Sequence, residues 1–145
     1  MTDAYRFEIP WTKSLVIDNG WIDQQHQQMI LHIVNLINAI AKGNSQTVIN
    51  NYMTFLHQYA NIHFNTEEQS MQKYHYPNYI PHRQEHLQFV EHLRELDTQL
   101  EQDGPSEKLG SSIGNFLWNW FKRHIQDSDR AYGEYLKVRG IIHPA

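Results

Sequence analysis

Five histidines and two acidic residues lie on the apolar stripes of four separate stretches of this chain, and that placement limits what it can fold into. They are His26, then His63 and Glu67, then His82 and His86, then His124 and Asp129. The first stretch runs from about Asn19 to Lys42, with Ile22, His26, Ile30, Ile33, Ile37 and Ile40 at helical steps of three and four. The second runs from about Ser45 to Tyr74, with Tyr52, Leu56, Tyr59, His63, Glu67 and Met71 on one side. The third, from about Asn78 to Gln102, carries His82, His86, Phe89, Leu93, Leu96 and Leu100. The fourth, from about Ser106 to Tyr132, carries Leu109, Ile113, Phe116, Leu117, Trp120 and His124. Strand-like alternation is lacking, and the links between stretches are short. The expected fold is therefore all-α, an up-down-up-down antiparallel four-helix bundle.

Local signals set the boundaries. Asp18 or Asn19 is a helix start and Gly43 a stop. Pro81 falls in a first turn, where a missing N–H costs little, and Asp103-Gly104-Pro105 is a turn. Residues 1–16, with Pro10 and Trp11, are expected as an irregular arm on a bundle spanning 19–132. Residues 133–145 contain Gly133, Gly140 and Pro144 and are expected as a short tail, with Tyr135 and Leu136 packed back. The whole, 1–145, is one domain.

Residues four apart on a helix differ by only about 40° around its axis. His63 and Glu67 thus share a face, as do His82 and His86. His124 and Asp129 are five apart, about 140° on a regular helix, which predicts a π-bulge between them. A core holding five imidazoles and two carboxylates would leave polar groups unpaired at several kcal/mol, and a metal is the simplest way to satisfy them. His32, His57 and His92 each lie six residues from a candidate ligand, about 240° around, and face away from it. His75 and His143 fall in a loop and the tail. These five read as surface histidines.

Composition removes other classes. The absence of cysteine excludes disulfides and thiolate metal sites. The net charge of -4, with scattered Lys and Arg, gives no basic run for nucleic acid or anionic membrane. Neither a leader-like apolar segment nor a membrane-length one is seen, and a cytoplasmic protein without membrane insertion is expected.

The seven positions, with Ile22-Asp23-Gln24-Gln25-His26, His63-Phe64, Glu67-Glu68, Met71, Phe89 and Trp120 before His124-Ile125, resemble the hemerythrins, and within them the single-domain bacteriohemerythrins. Trp11 and the segment 17–20 are similar to the family's N-terminal arm. The resemblance covers nearly the whole chain. It implies two iron ions per chain with an oxo or hydroxo bridge. His82, His86 and His124 would hold one iron, His26 and His63 the other, and Glu67 and Asp129 would bridge them. Three histidines and three bridges fill six positions on the first iron, while the second has five, so dioxygen is expected beside His26 and His63. Candidate walls there are Met29, Ile30, Phe64, Trp120, Phe121 and Ile125, with Phe64 and Trp120 foremost by resemblance.

The expected function is reversible oxygen binding, for storage, transport or delivery, by a monomer without catalytic activity. An oxygen-consuming enzyme is a candidate partner. Alternatives are an oxygen or nitric oxide sensor acting on a partner protein, a di-iron peroxidase, or an iron-handling protein. The polar run Gln126, Asp127 and Ser128 would speed oxidation if it faced the pocket.

Overall fold

The computed structural model describes residues 7–141. The first six arm residues, the end of the tail and His143 lie outside them. Four long helices carry the fold: α1 (Gly20–Ala41), α2 (Gln46–Lys73), α3 (Tyr79–Asp103) and α4 (Glu107–Arg123). A π-helical turn, His124–Asp129, continues α4 into α5 (Arg130–Val138). Each long helix packs on its neighbours in the order α1, α2, α3, α4 and back to α1. The ring closes as an all-α four-helix bundle.

Capping explains the starts. Asn19 accepts a hydrogen bond from the Ile22 N–H, Ser45 from Val48 and Ser106 from Leu109, each satisfying a backbone donor that the first turn leaves free. The apolar stripes of α1 and α3 are buried as the periodicity predicts; Ile22, Ile33, Ile37, Ile40, Phe89 and Leu93 expose no surface. Each such side chain contributes about 1.5–3 kcal/mol by leaving water.

Three expectations need correction. On α2 the inward positions are Met53 and Ala60 rather than Tyr52 and Tyr59, which are half-buried. The tyrosines lie one residue off the stripe, and Tyr59 packs its ring on His32 at the bundle edge. On α4 Phe116 is half exposed, edge-on to His92, because Ile113 and Leu117 already fill the inward face. The tail is also shorter than expected. The helix runs past Gly133 to Val138, burying Tyr132 and Leu136. Gly133 is a packing glycine: a Cβ there would sit 3.1 Å from the Ile17 carbonyl oxygen of the arm. The stop comes at Gly140, whose positive φ lets Gly140 and Ile141 donate back to Lys137 and Leu136.

The arm lies on the bundle. Phe7 and the Asn38 amide exchange two hydrogen bonds, and Leu15 and Ile17 are buried. Opposite, α4 approaches the end of α1 so closely that a Cβ on Gly110 would lie 2.9 Å from the Ala41 backbone nitrogen. Gly110→Ala is therefore expected to destabilise the fold by about 1–2 kcal/mol, despite the better helix propensity of alanine. Thermal unfolding checks this; an unchanged or raised Tm would show that the two helices can part cheaply.

Candidate metal centre

Antiparallel neighbours bring the end of α2, the start of α3 and the end of α4 to the level of His26 near the start of α1. The seven predicted side chains meet there, none more than 3 % exposed. They form two overlapping groups, each with its ligand atoms within 4.8 Å of one another. One is Glu67, His82, His86, His124 and Asp129; the other is His26, His63, Glu67 and Asp129. Glu67 and Asp129 belong to both and so lie between the two halves. The expected π-turn is what allows Asp129 to join: bonding from residue i to i+5 widens the turn and sets residues five apart on one side.

The donor atoms face each other in a way that hydrogen bonding alone does not explain. His86 Nε2 and His124 Nε2 are 3.1 Å apart. The other nitrogen of each ring has a carboxylate partner, His86 Nδ1 with Glu68 at 2.7 Å and His124 Nδ1 with Glu85 at 2.7 Å. In the neutral rings, an Nδ1–H donated to each carboxylate leaves two Nε2 lone pairs pointing at a common centre, which is how a metal-ligating imidazole is held. His63 Nδ1 likewise donates to the Gln25 side-chain oxygen at 2.8 Å. His26 Nε2 is 2.8 Å from Asp129 Oδ2 but lacks hydrogen-bond alignment. Both nitrogens of His26, Nε2 of His63, Oε2 of Glu67 and both oxygens of Asp129 are buried without a hydrogen-bond partner. Orphaned atoms of this kind fit a pair of cations held by imidazole and carboxylate.

Electrostatics agrees. Burial opposes charge on His63, Glu67, His82, His124 and Asp129. For His82 it is outweighed by the Asp129 and Glu67 carboxylates close to its Nε2, which push the ring up to about 10. For His124 it is outweighed by attraction to Asp129 and the hydrogen bond to Glu85, giving about 9. His63 lacks enough compensation, and burial pushes it down to about 3. Burial and their mutual repulsion work against Glu67 and Asp129 as anions, yet the surrounding imidazoles hold both below the usual carboxylate range. Without a metal, the two anions are thus balanced by protons on His82 and His124, which a bound cation would displace.

Gln25, Glu68, Glu85 and Ser128 were missed as site residues. Ser128 donates to both oxygens of Glu85 at 2.7 and 2.9 Å and fixes it under His124. The usable signal was the rule that a ligating imidazole needs an acceptor behind it. Gln126, Asp127 and Ser128 point away from the cluster: Gln126 bonds to the Ser14 carbonyl and Asp127 is exposed. Among the candidate walls, Met29, Ile30 and Ile125 are buried. Phe121 meets His26 edge-on at 5.6 Å, and Phe64 lies against His63 and stacks on His86. Trp120 is placed differently from the expectation. It is half-buried and stacks on His124 at 5.0 Å, away from the His26 side in its ring contacts.

A family model for the hemerythrin HHE cation-binding domain matches residues 19–136, a span that includes all seven side chains. The chain belongs to the hemerythrin family. It is 29 % identical over 129 residues to a bacteriohemerythrin of Methylococcus capsulatus, covering 88 % of this chain and 96 % of that one. It is 24 % identical over 128 residues to a bacteriohemerythrin of Stenotrophomonas maltophilia, covering 88 % and 81 %. A crystal structure of wild-type hemerythrin shares the fold, with a TM-score of 0.74, 24 % identity and coverage of 87 % and 95 %. This chain is accordingly an oxygen-binding domain of the di-iron class. Among the described residues, no helix is long and apolar enough to cross a membrane.

The other histidines among the described residues stay apart from the centre of this hemerythrin domain. His32, His57 and His92 are half-buried, His75 is exposed, and His57 pairs with Asp97 at 3.0 Å. His57→Ala is expected to leave iron content unchanged and to cost at most about 1 kcal/mol, as for an exposed pair. Loss of iron in this variant, counted per chain, would contradict the helix phases.

Proposed function

We propose that the domain binds dioxygen reversibly, for storage, transport or delivery to an oxygen-using enzyme. His82, His86 and His124 would hold one iron, His26 and His63 the other, with Glu67, Asp129 and an oxo or hydroxo group between them. When bound, the iron pair supplies two electrons that dioxygen takes up and returns. The observation that carries this reading is the complete burial of His26 and His63, the half with the smaller donor set. A site closed in this way suits a small apolar gas better than an organic substrate. Phe64, against His63, and Phe121, edge-on to His26, would exclude water and protons from it, which favours return of the gas over its reduction. Five neutral imidazoles against two carboxylates also supply less negative charge than carboxylate-rich di-iron bundles, and so support high oxidation states less well.

The test is a visible spectrum of protein purified without oxygen, then aerated, then returned to nitrogen, with iron counted. A charge-transfer band that comes and goes at two irons per chain is the expected result. A band that forms once and stays, or sustained turnover with a reductant, would overturn the carrier reading. Sensing is the second reading. Arg130, just after Asp129, donates to the Ser14 carbonyl at 2.6 Å and ties the arm to the π-turn, so movement of that turn would reach the surface.

A further inference from the structure

On the surface between α3 and α4 a cleft of about 480 Å³ opens against the three-histidine half of the centre. Its volume lies within the roughly 300–1,000 Å³ of small-molecule sites. Two aromatic rings line it, Phe116, half exposed, and Trp120. The Trp120 indole lies nearly parallel to the His124 imidazole, 5.0 Å between centroids and 12° between planes. His124 is itself part of the cleft lining, although only 2 % of its surface is exposed. A single ring-to-ring step therefore separates the cleft from a side chain that faces the metal position. The amides of Gln88 and Asn119 border the rings, and Arg123 and Asp127 supply one positive and one negative charge. The Glu85 carboxylate is already committed to His124 and Ser128.

We propose that this cleft is an electron-entry port that docks a planar aromatic electron donor of the reduced-flavin class, and that Trp120 and His124 conduct the electrons inward. The ring system would stack on Trp120 and Phe116, its polar edge would meet the two amides, and Arg123 would hold an anionic tail. The need for such a port rests on the proposed function, because a carrier that oxidises to the ferric state must be reduced before it binds oxygen again. One reduced flavin gives up two electrons in succession, one to each ferric ion. It leaves as oxidised flavin, with its protons released to solvent.

The experiment has two measurements on the purified iron-loaded protein, with flavin mononucleotide as the probe. In the first, oxidised flavin fluorescence is titrated with protein. Saturable quenching is expected, with affinity weakened at least tenfold in Phe116→Ser, whose ring is exposed enough for its loss to leave folding and iron content intact. In the second, photoreduced flavin is mixed anaerobically with oxidised protein and the decay of the ferric absorption is followed. The rate should saturate with flavin concentration, and Trp120→Leu should lower the limiting rate at least tenfold at unchanged iron content. Absence of quenching, quenching indifferent to Phe116→Ser, or a rate that rises linearly or ignores Trp120→Leu would each overturn the port. The two readings fail separately. A protein that cycles with oxygen but does not quench flavin refutes the port alone, whereas one that quenches flavin but never cycles refutes the carrier alone.

Discussion

Removing iron from the loaded protein is expected to lower its Tm by about 10–20 °C. Six side-chain atoms of His26, His63, Glu67 and Asp129 are buried without hydrogen-bond partners, in a core that water does not reach. Each such atom costs about 1–3 kcal/mol when left unsatisfied. Partial relief comes from the protonated His82 ring, which hydrogen-bonds to Glu67 at 2.7 Å and lies 3.0 Å from Asp129 as a compensating charge. A net loss of about 5 kcal/mol then remains, and each kcal/mol moves Tm by about 2–4 °C in a chain near this size. Metal that binds the folded chain alone adds its binding free energy to stability, and chelation takes it away. Calorimetry of the loaded and chelated protein reads the difference. A change below about 3 °C would mean that the fold satisfies these groups by itself and that the ligand set is wrong.

The second large effect is expected from Glu67→Ala, which should bring iron from two per chain to below one. Glu67 belongs to both donor groups, together with Asp129, so its loss removes a ligand from each metal position at once. It also withdraws one of the two anions that keep His82 charged in the free protein. His63→Ala and His86→Ala take one donor from a single half and should cost less, leaving about one iron per chain or more. The ordering is the informative part, and iron analysis after purification under identical conditions measures it. If Glu67→Ala kept as much iron as His63→Ala, Glu67 would serve only one half.

Much of this could be read from the chain because helical geometry is local. A residue's place on the stripe follows from spacing alone, so His26, His63, Glu67, His82 and His86 could be assigned to inward faces before any coordinate was known. The five-residue step from His124 to Asp129 could be assigned to a π-turn for the same reason. The stripe of α2 was read one residue off at Tyr52 and Tyr59, because alanine at 60 carries little signal and tyrosine packs equally well at an edge. The tail is expected from Gly133 onward because nothing in the sequence says that the Ile17 carbonyl will lie against that glycine inside a helix.

What spacing cannot give is how far one helix slides or rotates against the next. That alone decided that Glu68 and Glu85 reach the outer nitrogens of His86 and His124, and that Gln25 reaches His63. It also turned Trp120 onto the outer face of His124. The sequence by itself determined a four-helix bundle with seven candidate ligands facing inward. The tertiary structure decided which carboxylates stand behind the ligands and which side of the centre is open to a visitor, because those contacts join residues that no periodic pattern connects.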